Sequence, residues 1–140
     1  MNSQRPILLV EDNPMDVDLT LRAFARRLIV NPVDVARDGE EALQRLQDWD
    51  AGADVPVVIL LDLKLPRING LEVLRQLKAH PVYQKIPVVV LTTSRENLDV
   101  EAAYELGANS YIVKPVDFEK FMDVATQIQL YWCVLNEQAR

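Results

Sequence analysis

Three carboxylates, a run of hydroxyls and one lysine stand where apolar stretches of the sequence end. Glu11 and Asp12 follow "PILLV", Asp62 closes "PVVILLD", Thr92, Thr93 and Ser94 end "PVVVLTTS", and Lys114 and Pro115 follow "SYIV". The adjacent acids repel each other, and no basic residue follows them until Arg22. Three acids brought together cannot all stay ionised uncompensated, because each raises the pKa of the others. A hard cation removes that conflict. Mg²⁺ prefers octahedral oxygen ligands, keeps several waters, and typically takes one or two carboxylates plus phosphate. A carboxylate can also attack phosphorus and form an aspartyl-phosphate, while an ammonium and a hydroxyl stabilise the equatorial oxygens of the group in transfer. These residue types therefore fit metal-assisted phosphoryl transfer, with Glu11 and Asp12 holding a divalent metal for chemistry at Asp62. Each has a bland reading when taken alone: a solvated turn with a helix cap, a strand exit, a β-favouring threonine, an ordinary Lys-Pro turn. The functional reading needs all of them at one place.

The periodicity supplies elements that would put them there. Residues 6–10 form a short apolar run suited to a strand buried on both faces. Residues 14–28 carry Val17, Leu21, Phe24, Ala25 and Leu28 on one helical face, with Asn13 as N-cap, Pro14 at the first helical position and acids in the first turn. Strands are then expected at 33–36, 56–62, 87–93 and 110–113, with 56–62 central. Helices are expected at 39–49, 70–80, 97–107 and 117–138, and Gly107 is placed as a helix stop. Five successive βα units imply an α/β fold: a doubly wound parallel sheet with helices on both faces. Right-handed crossovers bring the carboxyl ends of the strands to one edge, where ligands of such sheets bind.

Composition narrows the function. The chain has 140 residues, 49% apolar and 26% charged, with 15 basic and 21 acidic side chains. That suits one globular domain. The net charge of −6 disfavours nucleic acid as a partner. Cys133 is the one cysteine, so an internal disulfide is excluded and a cytoplasmic setting is expected. No signal peptide and no membrane-spanning apolar stretch is read. His80, the one histidine, precedes Pro81 in a helix-to-strand connection and reads as surface or capping.

"VEDNP", "LLDLKLPRINGLEVL", "VVVLTTS" and "GANSYIVKPVDFEKF" together resemble the receiver domain of two-component response regulators, over roughly residues 6–130. The resemblance implies a flavodoxin-like (βα)5 fold with strand order 2-1-3-4-5. It also implies that Asp62 accepts a phosphoryl group from a sensor histidine kinase. Mg²⁺ would be held by Asp12 directly, by Glu11 through water, by Asp62 and by the backbone carbonyl of Lys64. It further implies that Thr92 swings onto the phosphoryl group, that Tyr111 is the aromatic switch moving with it, that Lys114 pairs with the phosphate, and that a cis bond precedes Pro115. Such a protein catalyses its own phosphorylation and slow dephosphorylation and is not otherwise an enzyme. Glu11 stands where many members have Asp, and Lys64 puts a cation beside the site. "VEDNPMD", the "VVVLTTS" strand and an aromatic tail are similar to stand-alone regulators that accompany bacterial phytochrome kinases, a subgroup that tends to dimerise.

Two rivals fit less well. An FMN carrier needs a hydroxyl- and Gly-rich phosphate loop after the first strand, and "EDNP" offers carboxylates there. An aspartate phosphatase places a second acid two residues after its nucleophile, where this chain has Lys64. No DNA-binding or catalytic segment is read after the receiver, so the expected output is protein–protein contact or phosphorelay. Phe118, Phe121, Ala125, Ile128, Trp132 and Leu135 make a helical seam for packing on the sheet or on another helix, and "LYWCVL" is apolar nearly all round. Residues 131–140 are therefore expected to contribute a homodimer contact, with Tyr131, Trp132 and Leu135 as anchors.

Overall fold

The computed structural model describes residues 5–115 and 117–130. Five parallel strands, β1 (Ile7–Val10), β2 (Val33–Ala36), β3 (Val58–Leu61), β4 (Val88–Thr92) and β5 (Ser110–Val113), form one sheet in the order β2-β1-β3-β4-β5. The helices are α1 (Pro14–Arg26), α2 (Gly39–Asp50), α3 (Gly70–Ala79), α4 (Asn97–Glu105) and α5 (Phe118–Gln127). The expected order and alternation hold. β2 and β5 coincide with the expected runs, while β1, β3 and β4 are one to three residues shorter than theirs. One element has no counterpart in the sequence reading: a 3-10 turn at Tyr83–Lys85. His80 Nδ1 accepts from the backbone N–H groups of Val82 and Tyr83 at its start, which makes His80 a cap.

The two-residue side-chain period of the strands sorts the core into two layers. Leu8, Val10, Ile59, Leu61, Val88 and Val90 face α2, α3 and α4; Ile7, Leu9, Val58, Leu60, Val89 and Leu91 face α1 and α5. Every residue of β3 is fully buried. Each such Val, Ile or Leu contributes about 1.5–3 kcal/mol of burial, which makes β3 the rigid centre on which Asp62 is mounted.

Caps explain where the helices begin. Asn13 accepts from the N–H groups of Met15 and Asp16, Asp38 from Glu41, Asn69 from Glu72 and Asp117 from Lys120. In α5, Phe121, Ala125 and Ile128 are 2% exposed or less and pack on the sheet beside Ile7 and Leu9. From Phe121 to Ile128 the seam is thus covered by the protein's own core, while Phe118 stays half-buried beside Arg26 of α1. A π-type turn follows at 128–130. Residues 131–140, with Tyr131, Trp132, Cys133 and Leu135, lie outside the described residues. Among the described residues, no helix is long and apolar enough to cross a membrane.

Candidate functional site

The ladder delivers the site residues in register. Val10 pairs with Leu61, Leu61 with Val90, and Thr92 with Val113. One residue beyond, the backbone bonds continue: Glu11 N–H to Ala36 O, Asp62 N–H to Val10 O at 3.0 Å, and Lys114 N–H to Thr92 O at 2.8 Å. Glu11, Asp62, Thr92 and Lys114 are therefore fixed at one edge by main-chain geometry before any side chain is placed. Gly70, at the start of α3, presses against this edge. A Cβ there would sit 2.3 Å from Asp62 O and 2.5 Å from Leu63 Cα, so only glycine lets the helix approach the backbone behind Asp62.

Asp62 is 6% exposed, and both carboxylate oxygens are engaged. Oδ1 accepts from Thr92 Oγ1 at 2.7 Å and from the backbone N–H of Lys64 at 3.2 Å. Oδ2 lies 3.2 Å from Lys114 Nζ. The same ammonium lies 2.5 Å from Glu11 Oε1 and 2.8 Å from Asp16 Oδ2. Glu11 Oε2 accepts from the N–H of Asn13. Asp12, by contrast, is exposed. One oxygen each from Glu11, Asp12 and Asp62 lies within 4.8 Å of the others. Three oxygens this close, two of them buried and one open to solvent, fit a hard divalent cation that keeps part of its water shell.

Electrostatics match that donor set. Burial raises the Glu11 carboxyl to about 7; the bond from Lys114 opposes the rise and the Asp62 charge adds to it. Burial alone would lower Lys114, but its bonds to Asp16 and Glu11 and the charges of Glu11 and Asp62 hold it well above the ordinary lysine value. The site thus keeps a permanent ammonium and a glutamate whose charge remains costly even beside it.

Tyr111 is half-buried and donates its hydroxyl to the backbone carbonyl of Ser94 at 3.0 Å. Ser94 Oγ donates to Asp99 Oδ2, and Lys64 Nζ lies 3.6 Å from the same oxygen. The loops after β3 and β4 and the strand β5 are tied together by this chain of contacts. The Lys114–Pro115 bond is trans, against the cis bond expected there. Trans is the lower-energy isomer before proline, and with it Lys114 already reaches three carboxylates. Asp16 and Asp99 are additions that sequence reasoning missed as site residues. Both lie in the first turns of helices, where an acid is unremarkable. The one available signal for Asp16 was its place one helical turn beyond the acid pair.

Residues 7–126 match the family described as Response regulator receiver domain. The chain belongs to the response regulator receiver family. Receiver domains take a phosphoryl group on an aspartate from a histidine kinase, so a kinase is implied as partner. The "Probable methanogenesis regulatory protein FilR2" of Methanothrix harundinacea is 42% identical over 131 residues, 93% of this receiver and 84% of that protein. Response regulator Rcp1 of Synechocystis sp. is 38% identical over 133 residues, 94% of this chain and 90% of that one. The Mn²⁺-bound form of response regulator Rcp1 superimposes with a TM-score of 0.87 at 35% identity, covering 97% of this chain and 99% of that one. The bacteriophytochrome response regulator RtBRR gives a TM-score of 0.77 at 48% identity, over 98% of this chain and 85% of that one. The receiver is thus similar to regulators linked to phytochromes.

Proposed function

We propose that Asp62 is the phosphoacceptor and that residues 1–140 act as a single receiver unit in the cytoplasm. The observation that carries this reading is the setting of Asp62. It is a buried carboxylate on the most buried strand, bonded by Thr92 and Lys114 and within 4.8 Å of the acid pair. An Asp62 oxygen attacks the phosphorus of the kinase's phosphohistidine. The O–P bond forms as the P–N bond breaks, and the imidazole leaves with the electron pair. Asp12, Asp62 and the Lys64 carbonyl, with Glu11 through water, would hold Mg²⁺, which would neutralise charge on the transferring oxygens. Lys114 pairs with one phosphoryl oxygen. Thr92 gives up its bond to Asp62 Oδ1 and donates to another. Because Tyr111 is bonded to the loop that follows Thr92, it moves with that loop. The receiver catalyses its own phosphorylation and slow dephosphorylation.

Likeness to RtBRR and Rcp1 supports a bacteriophytochrome histidine kinase as the partner. The output is phosphorylation-dependent protein contact or phosphorelay, made by a homodimer anchored through Tyr131, Trp132 and Leu135. Two measurements test these readings. Asp62→Asn is expected to abolish Mg²⁺-dependent labelling by acetyl phosphate; a label still mapped to another residue at equal yield overturns Asp62 as acceptor. Trp132→Asp is expected to halve the molar mass in light scattering, and an unchanged mass removes the tail from the interface.

A further inference from the structure

Asp16 takes no part in the transfer just described, yet its Oδ2 lies 2.8 Å from Lys114 Nζ. The Lys114 side chain is 7% exposed and touches three carboxylates, Glu11 at 2.5 Å, Asp16 at 2.8 Å and Asp62 at 3.2 Å. Glu11 and Asp62 belong to the acid cluster that fits a divalent cation, and Asp16 does not. An ammonium and a divalent ion drawing on the same oxygens repel each other strongly in a largely dry site. A buried ammonium cannot be left without a counter-charge either. Asp16 is the one of the three that the metal does not need. It is also firmly placed. Its N–H donates to the Asn13 cap at 3.3 Å, and its carbonyl accepts from Thr20 Oγ1 at 2.8 Å.

We propose that Asp16 is a positioning residue: a separate counter-ion that keeps Lys114 seated while a divalent cation draws on Glu11 and Asp62, so that both cations occupy the site together. The inference rests on the metal site of the proposed function. It predicts an energetic coupling between Asp16 and Mg²⁺ that exists only when Lys114 is present.

Calorimetric titration of MgCl₂ into the full chain tests it in four proteins: unsubstituted, Asp16→Asn, Lys114→Met and the double variant. Asp16→Asn is expected to weaken Mg²⁺ binding about fivefold or more. In the Lys114→Met background the same change is expected to alter affinity by less than about twofold. Asp16→Glu should recover most of the loss. A role confined to the first turn of α1 would be indifferent to Lys114 and would persist in both backgrounds. If Asn impairs folding, Asp16→Ser carries the same comparison. Equal affinity in Asp16→Asn, or equal loss in both backgrounds, overturns the proposal alone. Absence of saturable Mg²⁺ binding by the unsubstituted chain overturns the metal reading and the proposal with it.

Discussion

Lys114 and Lys78 occupy opposite edges of the same sheet and solve the same problem in different ways. Each is an ammonium drawn out of water by the fold. At the carboxyl edge Lys114 is held by the carboxylates of Glu11, Asp16 and Asp62. At the amino edge Lys78 is held by neutral oxygens: Gln84 O at 3.0 Å, Ile86 O at 2.9 Å and Asn109 Oδ1 at 3.4 Å. Burial lowers the pKa of Lys78, whereas the acids around Lys114 overcome burial and raise it. Neutral carbonyls tether α3 to the start of β4 and need nothing further. Three carboxylates around one ammonium leave an excess of negative charge, and that excess gives the carboxyl edge its affinity for a second cation. The carboxyl edge is poised for chemistry, while the amino edge is finished structure.

Removing each lysine breaks the comparison most directly. Lys114→Met leaves Glu11, Asp16 and Asp62 without their shared cation, and is expected to cost about 3 kcal/mol of unfolding free energy in chelator. Mg²⁺ should return part of that. Lys78→Met keeps the apolar stem and leaves only carbonyl and amide oxygens unpaired. It is expected to cost about 1 kcal/mol, the same with or without Mg²⁺. Denaturant melts of both variants in each condition make the check. Equal losses, or a Lys114→Met loss that Mg²⁺ fails to reduce, would show that the two edges do not differ in kind.

The same contrast explains what could be read from the sequence. Glu11, Asp62, Thr92 and Lys114 were legible because each sits at or just beyond the end of a strand, and parallel register alone brings such positions to one edge. Asp16 and Asp99 were not. They reach the site sideways from α1 and α4, and only the packing of those helices decides whether a first-turn acid faces solvent or an ammonium. The 3-10 turn at Tyr83–Lys85 was hidden because three residues are too few to show a helical period. The bond before Pro115 was expected cis from resemblance, and no local pattern in the residues bears on it. The seam of α5 was legible as apolar, but that pattern left its partner open. The protein's own core covers it from Phe121 to Ile128.

The pH response sharpens the difference further. Glu11 is raised from 4.5 to about 7, chiefly by burial. A carboxyl whose folded pKa exceeds its unfolded value binds protons in the native state that the unfolded chain has already released. Stability from this group is therefore lost as pH rises from about 4.5 to about 7. Unfolding free energies measured across that window in chelator should show a fall that Glu11→Gln removes, on the order of 2 kcal/mol. Mg²⁺ should also remove it, because the cation stabilises the ionised form. Lys78→Met should leave the slope untouched. A slope unchanged by Glu11→Gln would place the acid sensitivity elsewhere.

The smallest effect belongs wholly to the amino edge. Three helices end there in the same hydrogen-bonded closure. For α4, Ala108 N–H bonds Ala103 O and Gly107 N–H bonds Tyr104 O; for α1, Ile29 bonds Phe24 and Leu28 bonds Ala25; for α2, Ala53 bonds Asp48 and Gly52 bonds Trp49. The closure needs a left-handed residue. Gly107 supplies it at φ 106°, as its position in the sequence indicates, but in α1 the position falls to Leu28 at φ 58°. Leu28 is 77% exposed, so its side chain returns little burial for the strain. Leu28→Gly is expected to stabilise the protein by about 1 kcal/mol, raising Tm by about 3 °C. Acetyl phosphate labelling should be unchanged, because the closure lies at the edge away from Asp62. A gain in stability that came with altered labelling would mean that α1 transmits strain from its last turn to its first, where Asp16 holds Lys114. The two edges would then be coupled through that helix.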